Sequence, residues 1–544
     1  MKQTVFLWTV LSIIACIFLT LSVGSATRES LTFDEIVHIE EGIHAWKKHT
    51  FDIDTNNPPL IRELAVIPLL RTASAIKPQI PNQSMFFPRM IIVTLSVLLG
   101  ISLFVFSNSF FGLTAAAFSV ALYGIDPNIL ANNHYVTQDV GAAFFFFLGY
   151  MSLVLMLRAP SWKTFFWHGI CMGLMAATKI TLLPYYAVSA CMLLPFILGR
   201  KSVAYIYHNL PKILFSIVVC FSVIWGTYFF KWNVVIVPTA REGRVSDRVL
   251  LYAKSHGIPI IVQGLHFLQY QKIPLGDYIA VLKNTAIRST QKTPTFFLGQ
   301  LYAKPRWYFM VVNMLYKTPI SLILLFLIGL WRGLRNSTLR KRTIILLIPV
   351  ISILLVSMMS PMQPLVRYML PIYPFILMIA GLSFPNRWTL QRYAVLLIFA
   401  WSSIAAFNQY PHFISYANEF SGPRESRYLK FSDSNLDWGQ GLITLSSYIK
   451  SIRPSSIHFS YFGRDDANAY GFTSDLSFGS YKSNEICAFH NVSYPHYTGP
   501  SVTVISVSNW YGCGYNTTSL YAKSRIVSVV GDSFLVFSNE LMNK

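Results

Sequence analysis

Apolar runs long enough to cross a bilayer recur along most of this chain, and that repetition constrains the fold more than any motif does. A helix needs about 20 mainly apolar residues to span the hydrocarbon core. Such runs fall at 6–25, 89–108, 113–131, 140–157, 164–180, 182–199, 213–231, 308–330, 343–360, 364–384 and 393–408, which predicts eleven spans. Only 12% of the 544 residues are charged and 53% are hydrophobic, whereas an average soluble chain has about 25% charged residues. The class expected is a polytopic α-helical membrane protein. Residues 21–27 (LSVGSAT) lack a convincing cleavage pattern, so the first run reads as an uncleaved helix rather than a signal peptide.

The net charge of +21 is partly a matter of topology. Arg158 and Lys163 share one short loop, and Arg200, Lys201 and Lys212 lie in the next on that side. Arg332, Arg335, Arg340, Lys341 and Arg342 crowd a third, and Arg387 and Arg392 a fourth. Eleven spans put all four loops on the face that also holds Lys2, and the positive-inside rule makes that face cytoplasmic. Nucleic acid is therefore not an expected partner. Residues 26–87, 232–307 and 409–544 fall on the opposite face. The tail alternates β-prone runs (455–462, 502–507, 526–530, 534–537) with Gly, Asn, Ser and Asp, so it reads as an extracytoplasmic α/β domain of 409–544 beside a membrane domain of 1–408. Of six cysteines, Cys16, Cys171, Cys191 and Cys220 sit in apolar runs as small hydrophobes. Cys487 and Cys513 share the tail, where an extracytoplasmic compartment permits a disulfide without requiring one.

The first outside loop carries the densest chemistry, LTFDEIVHIEEGIHAWKKHTFDIDTNNPPLIRELAVIPLL at 31–70. Thr32 and Glu35 fit a capping box. Ile36, Ile39, Ile43 and Trp46 then recur at helical spacing with Glu40, Glu41, Lys47 and Lys48 between them, which predicts an amphipathic surface helix. Two readings of Asp34 and Glu35 stand side by side. In one they only cap the helix. In the other Asp34, ionised at a positive helix N-terminus, acts as a general base. Pro58 and Pro59 end the loop rigidly. Asp34-Glu35-x-x-His38 lacks the first histidine of a zinc-protease helix, so His38, His44 and His49 read as hydrogen-bonding residues before metal ligands.

Farther along, Asp139 is either a ligand of substrate or metal, or the N-cap of the run beginning at Val140. Lys179, Lys317 and Arg367 lie at outer ends of spans, where the positive-inside rule does not expect cations. They either grip a phosphate or snorkel to headgroups. Asp433, Asp437 and Trp438 belong to a stretch that is also ordinary turn chemistry. Asn491-Val492-Ser493 and Asn516-Thr517-Thr518 are sequons on the outer side, and Asn336-Ser337-Thr338 is one on the inner side.

The pattern of Asp34-Glu35-x-x-His38, then Pro58-Pro59-Leu60 and a new apolar span, resembles the GT-C glycosyltransferases. Specifically, it resembles the family containing protein O-mannosyltransferases and lipid A aminoarabinose transferases. The resemblance continues in order through 127–134 (PNILANNH) with Thr137-Gln138-Asp139, 173–179 (GLMAATK), 297–299 (FLG) with 306–309 (RWYF) and Lys317-Thr318-Pro319, 367–371 (RYMLP), and 433–440 (DSNLDWGQ). It departs at Asn57, where many relatives have His, and at Gly441, where they have an acid. The resemblance implies inverting transfer of a monosaccharide from a polyprenyl-phosphate carrier to a protein, lipid or glycan on the extracytoplasmic face, with membrane lipids as surroundings. It implies Asp34 as base, Glu35 as its positioning partner, and Asp139 as a further acid. Lys179, Lys317 and Arg367 would bind the donor phosphate, with His38 and His134 secondary. No metal-ligand set is assigned, and a divalent cation stays open as a cofactor. A transporter or flippase of lipid-linked sugar is the rival class, although no inverted repeat is visible. A membrane-anchored binding module is a weaker rival, because eleven spans exceed what an anchor needs.

Overall fold

The computed structural model describes residues 2–71, 85–235, 271–291, 295–361, 365–385, 389–473, 486–517 and 524–539, with isolated positions between 255 and 270 and at 521. Arg387, Lys77 and Thr518 lie outside the described residues. In chain order the helices begin with α1 (Lys2–Arg28), α2 (Glu35–Lys48), α3 (Leu60–Val66), α4 (Phe86–Phe111), α5 (Leu113–Ile125) and α6 (Pro127–Asn132). They continue with α7 (Asp139–Arg158), α8 (Trp162–Thr178), α9 (Leu182–Leu198), α10 (Ser202–His208), α11 (Leu210–Gly226) and α12 (Gly276–Ser289). The remainder of the bundle is α13 (Phe309–Lys317), α14 (Ile320–Arg335), α15 (Ser337–Met358), α16 (Tyr373–Gly381) and α17 (Leu390–Gln409).

Each of the eleven expected runs lies on a helix, but the runs are not all unbroken. Among the described residues six helices are long and apolar enough to span a membrane alone, and the bent pair α13 and α14, at 107°, makes a seventh. The breaks have local causes. Pro319 pushes Thr318 out of the helical region (ψ 133), ending α13. Asp126 takes extended backbone and its side chain accepts from the N–H groups of Asn128 and Ile129, so the run 113–131 stops and restarts as α6 with Pro127 in its first turn. The chain is a multi-pass membrane protein built around α7, nearly all of which is buried.

Helices approach closely where small residues allow it. A Cβ on Gly169 of α8 would come within 2.5 Å of the Ser216 carbonyl, and one on Gly173 within 2.6 Å of Val223 in α11. This spacing of small residues lets two lipid-facing helices pack backbone to backbone.

The tail holds a five-stranded sheet in the order β6-β5-β7-β9-β8, after two short ribbons, β1 (Trp232–Asn233) with β2 (Ile273–Pro274) and β3 (Thr295–Phe297) with β4 (Gln300–Tyr302). The strands are β5 (Ser456–Ser460), β6 (His490–Ser493), β7 (Val502–Ser506), β8 (Ile526–Val530) and β9 (Phe534–Ser538). Only β5 and β7 pair in parallel. Helix α18 (Leu442–Ile452) covers one face, with Leu442, Leu445 and Ile449 packed against Ile457, Phe459, Val504 and Phe534. Cys487 and Cys513 are joined as a disulfide. Asn491 of the first sequon is exposed on β6, an edge strand.

Between the last bundle helix and α18 the chain runs through short 3-10 turns. There Phe413, Ile414 and Trp438 join the apolar core of the bundle. The tail also grips the first loop through its backbone. The N–H groups of Ser30 and Phe33 donate to the carbonyls of Gln440 (3.0 Å) and Trp438 (2.9 Å), and Leu31 N–H donates to Asp465 (2.9 Å).

Candidate active site

The first loop does not form the expected capping box. Helix α2 starts at Glu35, with Asp34 as the flanking residue, and the Asp34 side chain makes no capping hydrogen bond. Glu35 does reach back to Thr32, accepting from its N–H at 2.8 Å. The rest of its carboxylate is spent elsewhere, because Arg89, the fully buried arginine of α4, binds it in two places at 3.0 and 2.9 Å and Val136 N–H adds a third donor at 3.0 Å. Burial by itself pushes the Glu35 carboxyl up, but the Arg89 guanidinium outweighs it and holds the carboxyl below its ordinary range. The two adjacent acids therefore part company. Glu35 is an internal strut and does not position the base by direct contact, whereas Asp34 keeps 33% of its side chain exposed.

Asp34 faces the cationic side of a four-member chain of charges. Arg367 donates to its Oδ2 at 3.0 Å and lies 3.6 Å from Asp139 Oδ2. Lys179 donates to Asp139 Oδ1 at 2.6 Å, and Thr137 donates to Asp139 Oδ2 at 3.2 Å. Asp139 is the first residue of α7, and its carboxylate is turned to these partners rather than to a cap. Lys179 follows the end of α8 with its Nζ 3.8 Å from the Tyr368 ring centre, and Arg367 lies 4.1 Å over the Trp438 ring. Buried Arg367 Nε has no hydrogen-bond partner. Residues from the first loop, α7, α8, the 366–372 turn and the tail thus converge, with 333 positions between Asp34 and Arg367 alone.

The other expected site residues lie apart from this chain of charges. Lys317 is fully buried and donates to the carbonyls of Ile414 (2.8 Å) and Asn435 (2.6 Å), so it pins the α13 end to the tail instead of facing a phosphate. His134 is also buried, against Glu29 at 2.9 Å, and His412 (3.2 Å) and Tyr135 (2.6 Å) complete that cluster. Burial pushes the Glu29 carboxyl up, but hydrogen bonds from both histidines win, leaving it at about 2. His38 stands one turn beyond Asp34, its Nδ1 4.0 Å from Asp54, and burial first of all lowers its proton affinity. His44 pairs with Asp52 at 2.9 Å, and His49 packs on Phe229. Among the described residues no group of three or more His, Cys, Asp and Glu is arranged to hold a metal ion.

Two further residues bear on this centre, Asp433 from the stretch already singled out in the sequence and Arg89, which no sequence motif singled out. Exposed Asp433 stands near enough to Arg367 and Asp34 for their charges to act on its carboxyl. Arg89 organises the loop that presents Asp34, and its place at the outer start of a span is the signal that could have found it, by the argument used for Lys179. Asp437, by contrast, accepts from the N–H of Ser508 (2.9 Å) within the tail, where burial pushes its carboxyl up to about 7.

The fold and the site define a polytopic membrane protein with a salt-linked polar centre at one end of its helices. No family model matches the chain, and no curated protein matches it. Among solved structures it is similar to ArnT from Cupriavidus metallidurans, in the apo state and bound to undecaprenyl phosphate, each at 12% identity and TM-score 0.48 over 97% of both chains. It is also similar to the Archaeoglobus fulgidus oligosaccharyltransferase in its apo form, at 14% identity and TM-score 0.45, over 76% of this chain and 56% of that one.

Proposed function

We propose that this chain is an inverting glycosyltransferase that moves a monosaccharide from a polyprenyl-phosphate carrier to an acceptor outside the cytoplasm, with the N-terminus cytoplasmic and residues 409–544 on the outer face, packed on the bundle. The observation that carries this reading is the Asp34–Arg367–Asp139–Lys179 chain. It offers a carboxylate free of capping duty with Arg367 beside it, and a second cation, Lys179, linked through Asp139, at the end of a membrane bundle. Such transfer requires a base for the acceptor and positive charge for the departing phosphate.

The resting pairing gives an order of events. Asp34 and Asp139 balance Arg367 and Lys179 in charge. A donor phosphate entering beside Arg367 competes with Asp34 for the guanidinium, and the unpartnered Nε is a further donor for a phosphate oxygen. Released from Arg367, Asp34 takes the proton of the acceptor hydroxyl or amine as that atom attacks the anomeric carbon. The carrier phosphate leaves with the bonding electrons, held by Arg367 and Lys179. Asp139 keeps both cations in place. No step is assigned to a metal cation, and Glu35, Lys317 and His134 have structural duties in this reading.

The test is transfer from a panel of radiolabelled polyprenyl-phosphate sugars in proteoliposomes, wild type beside Asp34→Asn. Loss of transfer by about 10²–10⁴-fold with donor binding kept is expected of a general base. Donor binding or flipping without bond cleavage by the wild type would overturn the enzyme reading in favour of a transporter.

A further inference from the structure

At the end of the bundle opposite Asp34, helices α7, α8 and α11 line a half-open cavity of about 370 Å³. Its position follows from the chain's course. Helix α7 starts at the Asp139 site and reaches the cavity only at Met156, while α8 enters the cavity wall at Phe165 and ends beside Lys179. The wall is apolar, with Phe165, Met172, Ile217 and Phe221 among its side chains. His168 is its main polar element, and both ring nitrogens are occupied, by Ser152 at 2.9 Å and Tyr186 at 3.1 Å. Exposed Trp162 and Trp167 mark the membrane interface at this end. From Trp162 to Met172 the helix descends about 15 Å, half of a hydrocarbon core about 30 Å thick. The cavity therefore occupies the depth of one leaflet.

The mouth is cationic without compensation. Lys163 opens α8 two residues before Phe165, and Lys212 lies one helical turn before Ser216, a wall residue on the same face of α11. The 199–201 crossover between α9 and α10 adds Arg200 and Lys201 at this end of the bundle. Lys212 spends one donor on Asn209 at 3.1 Å, and an ammonium has three. The sequence contains no Asp or Glu from 140 to 241, so none of the walls or the crossover supplies an anion.

We infer that this cleft is a binding site for an anionic phospholipid of the leaflet opposite the Asp34 site, with one acyl chain in the cavity and the phosphate among Lys163, Lys212 and the crossover cations. An apolar hollow at this depth suits a hydrocarbon chain better than water, which needs polar partners. Methionines in the wall adapt to a flexible chain. The cation-rich rim selects the headgroup, each Lys or Arg near an anionic lipid surface strengthening attraction about fivefold.

Native mass spectrometry of the purified full-length protein tests this, with phosphatidylglycerol and phosphatidylcholine of matched chains as probes. The expected result is one retained phosphatidylglycerol, bound at least about tenfold more tightly than phosphatidylcholine, and loss of that preference in the exposed-rim variant Lys163→Gln/Lys212→Gln. Filling the cavity with Cys220→Trp should abolish retention of both lipids, with thermal unfolding checking that the variant is folded. Equal retention of the two lipids by the wild type, or an unchanged preference in the rim variant, would overturn the site.

Discussion

Asp34 and Glu35 are neighbours with opposite fates, and substitution should separate them. Asp34→Asn removes the carboxylate that Arg367 holds, so under the proposed function transfer should fall while the fold stays. Glu35→Gln leaves Arg89 buried beside a neutral partner, and breaking such a pair costs about 3–5 kcal/mol. The expected outcome is a large drop in thermal stability for Glu35→Gln and little for Asp34→Asn, read by unfolding in detergent. Arg367 and Lys317 divide in the same way. Arg367→Gln should weaken donor affinity about tenfold to a hundredfold, the value of one charge-assisted hydrogen bond, in a donor-binding titration. Lys317→Met should leave that affinity unchanged and lower stability instead, because the carbonyls of Ile414 and Asn435 lose their donor. The residue types of the site were legible in the sequence, and so were Asp34, Asp139, Lys179 and Arg367 as candidates. Their sorting into site and strut was not. Whether a lysine meets a phosphate or two carbonyls depends on segments about 100 positions away, and no spacing rule reaches that far.

At the scale of elements, the helices were legible because apolar runs dictate them, and the breaks were not, since one Pro319 or Asp126 redirects a run whose composition barely changes. Helices α2 and α3 enclose acids that composition alone would leave in water. Glu63 on α3 is buried, and burial first, with the Glu41 charge adding, pushes its carboxyl up to about 8 from 4.5. The folded state therefore holds a proton that the unfolded state has lost between those values. Stability should fall as pH rises from 4.5 to 8, by at most about 1.4 kcal/mol per pH unit, and Glu63→Gln should flatten the dependence in thermal unfolding at pH 5, 6.5 and 8.

At the scale of the whole molecule, the tail is part of the site's frame rather than an appendage. Trp438 lies beneath Arg367, and the 438–440 backbone accepts from Ser30 and Phe33 within the loop that presents Asp34. Trp438→Ala should reduce transfer and donor affinity together by loosening the guanidinium, with the sheet still folded by circular dichroism. The likeness of 433–440 to a family motif pointed to this stretch, but its union with a loop 400 positions earlier is a property of the folded chain alone.

That union also fixes when the protein becomes competent during its synthesis. The Asp34 loop is made early, yet the backbone acceptors at 438 and 440 and the Asp465 carboxylate that hold it emerge more than 400 residues later. A nascent chain with its bundle inserted but its tail still on the ribosome has the charged residues of the site without the frame that orders them. Order at this site thus waits for residues 438–465, and a chain stopped before them should insert its bundle helices without the frame that holds the Asp34 loop.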